Sequence, residues 1–96
     1  MTVKVKYLGP VVDKLREQTG MHVLLNNKKT AIHVRANGEG EAKSVTLKNG
    51  STFKARTRSA YATINVLKNK AGEFVLAATG RNEALDRSKS LIAGLV

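Results

Sequence analysis

The sequence holds no cysteine. A disulfide scaffold, a thiolate metal site, a redox pair and a cysteine nucleophile are therefore excluded. Aromatic residues are almost as scarce. Tyr7, Phe53, Tyr61 and Phe74 are the whole set, 4% of 96 residues, so the core must rest on Val, Leu, Ile and Ala. No run approaches the ~18–20 apolar residues of a membrane span. The opening Met1–Lys6 carries Lys4 and Lys6 inside its first apolar stretch. It has no continuous apolar core of the ~7–15 residues that a secretory signal needs. The expected setting is the cytoplasm, with a virion component as the other class these absences allow, and no membrane partner.

Acidic residues are few, seven against seventeen Lys and Arg, which gives a net charge of +10. Their distribution says more than the total. Residues 1–41 hold seven basic and four acidic groups, and residues 73–96 hold three of each. Between 42 and 72 there is no acid, while Lys43, Lys48, Lys54, Arg56, Arg58, Lys68 and Lys70 all fall there. Such a field attracts polyanions at long range, and nucleic acid is the commonest such partner. An acidic protein is the other partner this charge fits.

Hydropathy patterning organises the chain. Thr2 to Tyr7 alternates, with Val3, Val5 and Tyr7 on one side, as a half-buried strand does. Gly9-Pro10 breaks it, and Pro10 suits the first position of a helix. Leu8, Val11, Val12 and Leu15 follow helical spacing, and Gly20 sits where a left-handed cap belongs. A helix is predicted over 10–19. Met21–Leu25 and Thr30–Ala36 flank the polar Asn26-Asn27-Lys28-Lys29 and read as a hairpin. Residues 37–41 are loop by composition.

Asn49-Gly50 marks a second hairpin over 43–55. A two-residue loop would scatter its apolar residues over both faces. A three-residue loop, Lys48-Asn49-Gly50, pairs Val45 with Phe53 and Leu47 with Ser51, gathers them on one face, and puts Gly50 at a left-handed bulge. Phe53 and Ala55 then point inward, and Lys54, Arg56 and Arg58 project together from the other face. Ala60 to Leu67 alternates as a strand but also carries helix punctuation: Ser59 before it, Lys68 and Lys70 at its end, Gly72 after it. The β-branched Thr63, Ile64 and Val66 and the following run Glu73–Thr79 favour the strand, in a hairpin around Lys70-Ala71-Gly72; the helix stays open as the alternative. Gly80 closes the last strand, Asn82 can cap a helix, and Ala84, Leu85, Ser88, Leu91, Ile92 and Leu95 make an apolar stripe over 82–94. Glu83 and Arg87 pair on its outer side.

The order is β-α-β-β-β-β-β-β-α. It predicts a single α+β domain, an open-faced sandwich in which two helices cover one face of a mainly antiparallel sheet. The other face should be solvated, polar and basic. There is no internal repeat, linker or low-complexity tract.

No motif specifies a reaction, and the expectation is a non-enzymatic protein without metal or cofactor. His22 and His33 fall one on each arm of the first hairpin with no third ligand, which does not make a zinc site. Asp13 and Glu17 more simply offset Lys14 and Arg16, and Glu39 and Glu41 are loop acids. Gly38-Glu39-Gly40 lacks the spacing and the Lys-Ser/Thr end of a phosphate loop. Gly80 and Arg81 at a helix start could meet an anion. The strand–helix opening resembles that of the sulfur-carrier ubiquitin-like proteins, which need a Gly-Gly terminus where Ala93-Gly94-Leu95-Val96 stand here, and the strand–Gly–helix ending of Phe74–Leu95 resembles that of the histidine phosphocarriers. That family needs a His at the start of its first helix, where Gly9-Pro10-Val11 stand here.

The basic set carries the functional expectation. Lys54, Arg56 and Arg58 would contact phosphates, flanked by Lys43, Lys48, Lys68 and Lys70, with Arg81 as a further anion contact. The protein is read as a small regulatory or accessory nucleic-acid-binding protein, for RNA or DNA, with backbone contacts dominating. The alternative is a protein-interaction module, inhibitor or virion component, whose basic face meets an acidic protein. Free sheet edges allow a homodimer. A stacking role for Tyr61 depends on its pointing to the open face.

Overall fold

A computed structural model describes residues 2–37, 43–48, 50–55 and 61–95. Strands β1 (Thr2–Val5), β2 (His22–Leu25), β3 (Ala31–Arg35), β6 (Ala62–Lys68) and β7 (Phe74–Thr79) form one sheet in the order β1-β7-β6-β3-β2. Strands β4 (Lys43–Thr46) and β5 (Thr52–Ala55) form a separate two-stranded ribbon. Helices α1 (Gly9–Thr19) and α2 (Glu83–Ala93) complete the element order. Every strand pair is antiparallel. The fold is therefore α+β, as the pattern predicts, and within the ambiguous segment Ala62–Lys68 is a strand.

The large sheet is a meander from β2 to β7, with β1 returning to the far edge. Its register puts Val3 beside Leu76, Leu76 beside Val66, Ile64 beside Ile32, and Val34 beside Val23. These side chains share one face and meet Leu8, Val11, Val12 and Leu15 from α1 and Leu91 and Ile92 from α2. Both helices thus cover the same side of the sheet. Leu15, Val23, Ile32, Val34, Ile64, Leu76 and Ile92 are all fully buried. The core is aliphatic, as the shortage of aromatics requires.

The ends of the helices show which local signals act. Pro10 falls in the first turn of α1, and Gly20 closes it at φ 64°, its N–H donating to the Arg16 carbonyl at 2.8 Å. Asn82 does not cap α2 as expected. It adopts φ 54°, and its side chain makes no capping bond. The turn is set by Gly80 instead, at φ 115°, where an added Cβ would stand 3.2 Å from the Ala84 Cβ. Gly80 brings β7 close against the start of α2, and the positive φ of Asn82 departs from the extended backbone that a capping side chain needs. Ser88 is buried between the helix and the sheet, its hydroxyl within 3.0 Å of the Thr63, Thr79 and Ala84 carbonyls. One proton serves these three acceptors in turn.

The open face differs from the expected basic surface. Its cations are Lys4 and Arg35, and its other residues include Thr63, Thr79, His22, His33, Leu24, Leu67 and Val75. Lys54 lies elsewhere, because β4 and β5 leave this sheet.

The register separates two leucines of similar composition but opposite environment. Leu76→Ala should cost about 3 kcal/mol, because the site is closed on all sides. Leu67→Ala, 61% exposed, should stay within about 0.5 kcal/mol. Urea unfolding of both variants checks the assignment, and equal losses would contradict it.

Candidate nucleic-acid interface

The β4–β5 ribbon pairs Val45 with Phe53, Ser44 with Lys54 and Thr46 with Thr52. This is the three-residue-loop register. The Leu47 N–H donates to the Ser51 carbonyl at 2.9 Å, the Gly50 N–H to Leu47 at 3.0 Å, and Gly50 takes φ 89°. The hydrophobic pattern decides it: a one-residue slip would turn Val45 and Phe53 to solvent. Val45, Phe53 and buried Ala55 pack toward the core on the helical side. At the tip, the Lys48 N–H donates to the Gln18 carbonyl at the end of α1 (3.2 Å), and Lys48 Nζ binds Glu17 Oε1 at 2.9 Å.

The outward face of the ribbon carries Ser44, Thr46, Thr52 and Lys54, all exposed. It offers three hydroxyls and an ammonium, with no carboxylate among them. Both hydroxyl and ammonium groups bind phosphate oxygens well. The three hydroxyls had no signal in composition; they follow once the register is set.

Of the other predicted contacts, Lys48, Lys68, Lys70 and Arg81 are not gathered here. Arg56 and Arg58 lie outside the described residues. Lys43 begins β4, opposite Ala55. Lys48 is engaged by Glu17. Lys68 ends β6 and stands over the Phe74 ring, 5.8 Å from its centroid, and Lys70 is exposed in the turn beyond. The six residue steps of β6 from Ala62 to Lys68 place these two lysines roughly 20 Å from the ribbon end of the sheet. Arg81 is exposed at the turn into α2, but the first turn of that helix carries Glu83 and Asp86. Two carboxylates already occupy the favourable end of the dipole there. No group of three or more metal-ligating side chains occurs among the described residues.

Tyr61 does not face the open sheet. The chain bends before β6, and the ring is 3% exposed. It meets Phe53 edge-on, with centroids 5.7 Å apart, and the Arg87 guanidinium lies 4.9 Å from its centre. Arg87 Nε also donates to the Tyr61 carbonyl at 2.8 Å, and its other end faces Glu83 at 3.7 Å. The expected Glu83–Arg87 pair is present, but Arg87 chiefly fastens α2 to the start of β6. A groove of about 310 Å³ runs between the ribbon and α2, lined by Leu47, Phe53, Tyr61, Asp86, Arg87 and Ser90 among others. The Tyr61 hydroxyl is buried without a hydrogen-bond partner. No sequence signal marks this cluster, because it joins segments that only the tertiary fold brings together. The chain matches no protein-family model, no curated protein and no solved structure.

Two titrations follow from this geometry. Burial raises the Tyr61 hydroxyl above its ordinary 10.0, against a smaller opposing pull from Arg87. The neutral form is favoured in the folded state, so stability holds below pH 10 and falls as pH rises through the folded value. Tyr61→Phe should remove that alkaline loss and, by deleting an unpartnered polar atom, raise stability at pH 7 by about 1 kcal/mol; thermal melts at pH 7 and above pH 10 measure both. The hydrogen bond and charge of Lys48 hold the Glu17 carboxyl below its ordinary 4.5. That contribution is present above pH 4.5 and is lost as pH falls through the folded value, so Glu17→Gln should flatten the acid limb of the stability profile without moving the alkaline one.

Proposed function

We propose that the protein is a small non-enzymatic nucleic-acid-binding protein that grips the phosphate backbone through the β4–β5 ribbon and the chain continuing from it. The observation that carries the reading is the outward ribbon face of Ser44, Thr46, Thr52 and Lys54, set in a stretch of 31 residues without an acid. Lys54 begins an alternating series that Arg56 and Arg58 continue in the sequence. Three cations at this spacing repel one another unless an anion meets them. Lys48, Lys68 and Lys70 contribute to the long-range field and not to the same contact surface.

A second reading rests on the open sheet face. Leu67 is 61% and Leu24 40% exposed there, with Lys4 and Arg35 nearby. That mixture favours an acidic protein partner with some apolar surface. Pull-down from nuclease-treated lysate separates the two: loss of partners on treatment favours nucleic acid, and one stoichiometric acidic protein favours the second reading.

The direct test is fluorescence anisotropy with labelled duplex DNA, duplex RNA and single strands over a salt series. Each phosphate neutralised contributes roughly 0.9 to the log–log salt slope on duplex DNA. Lys54→Ala combined with Arg56→Ala and Arg58→Ala should therefore lower the slope by about 2.7 and weaken binding to all sequences alike. Unchanged binding by the triple variant would remove the ribbon from the interface.

A further inference from the structure

The β4–β5 ribbon stands apart from the rest of the strands. It leaves the five-stranded sheet, adds nothing to that sheet's hydrogen bonding, and uses Val45, Phe53 and Ala55 to lie against the helical side. What it presents outward is a narrow two-stranded surface. From this we infer that the occupant of the outward face is duplex DNA, entered through the major groove, with Thr46 and Thr52 at base edges and Lys54 at the backbone. The inference rests on the nucleic-acid reading above and narrows it to one partner and one groove.

Dimensions support it. Two antiparallel strands about 4.8 Å apart, with short side chains, make a ribbon roughly 10 Å across. The major groove of B-form DNA, about 12 Å wide and 8.5 Å deep, admits a two-stranded ribbon. The A-form major groove of duplex RNA is too deep and narrow for side chains to read. Residue chemistry agrees. Ser44, Thr46, Thr52 and Lys54 are short or flexible and all carry donors, and a Thr methyl can meet the thymine methyl that marks this groove. No acid stands on the face to repel the flanking phosphates.

Single strands are disfavoured by what the surfaces lack. Strand-binding proteins stack bases on exposed aromatics. Here Phe53 and Tyr61 face inward against each other, and Phe74 packs against the core. Tyr7, 73% exposed, is the one exposed aromatic among the described residues. It lies beyond the end of β1, off the ribbon.

The opposition of the two faces gives the test. The full chain is titrated by anisotropy into a 20-base-pair DNA duplex and an RNA duplex of the same sequence, at matched salt. Methyl green, a major-groove dye, and distamycin, a minor-groove ligand, serve as competitors. The inference expects DNA to bind at least tenfold more tightly than RNA, with displacement by methyl green and not by distamycin. Thr46→Val with Thr52→Val, at exposed strand positions that valine suits, should lose about tenfold in affinity with an unchanged salt slope, as expected for base-edge contacts and not phosphate contacts. Far-ultraviolet circular dichroism confirms that the variant is folded. Binding that survives methyl green, that treats RNA and DNA alike, or that ignores the double substitution overturns the groove assignment while the phosphate reading stands. Absence of binding to every nucleic acid at low salt overturns both.

Discussion

The whole arrangement depends on burying one thin aliphatic layer around β6. That strand is the third of five, and its inward residues Ala62, Ile64 and Val66 are all at most 2% exposed. With so few aromatics, no single large side chain can anchor the interior. Close packing of Val, Leu and Ile between sheet and helices must do so, and such packing tolerates little loss of volume. The two helices are therefore committed to one face. Everything else on the molecule is placed relative to that commitment: the open sheet face on one side, and the ribbon pressed to the helical side on the other.

The ribbon's inward face, with Val45, Phe53 and Ala55, packs against the core on the helical side. Its tip is tied to the C-terminal turn of α1 by the Lys48–Gln18 backbone bond and the Lys48–Glu17 pair. A lone hairpin is marginal in water, so these attachments matter to its presentation. Tyr61 and Arg87 secure the other end, where Phe53 leans on the Tyr61 ring. The candidate interface is thus held by contacts to the helical layer that are themselves unrelated to any bound anion.

Much of this was legible in the residues because the relevant signals are local. Period-two alternation located β3 and β6, apolar spacing located α1 and α2, and Gly20 and Gly50 marked their left-handed turns. The ribbon register followed from asking which loop length gathers Val45 and Phe53 on one side. The failures share another cause. Nothing in the alternation of 43–55 says whether that hairpin joins the main sheet, so the sequence alone does not separate the ribbon that carries Lys54 from the open sheet face. Tyr61 belongs by parity with the open face, but a bend before β6 turns it toward Arg87. Asn82 has the right chemistry for a cap, but its backbone at φ 54° does not give it the geometry. The Lys48–Glu17 pair joins residues 31 positions apart, which no local pattern marks.

The placement of β1 has a consequence for how the chain acquires this shape. β6 and β7 meet across a tight turn closed by Asn69 and Gly72, whereas Val3 finds Leu76 only by closing a loop of more than seventy residues. Loop-closure entropy favours the short connection first, and non-local pairing slows folding. Thr2–Val5 precedes the other strands of this sheet in the chain and joins it only when its distant partner has been made. Until then β7 is an unpaired edge flanked by the half-formed core. The order of synthesis and the order of assembly run in opposite directions at this edge.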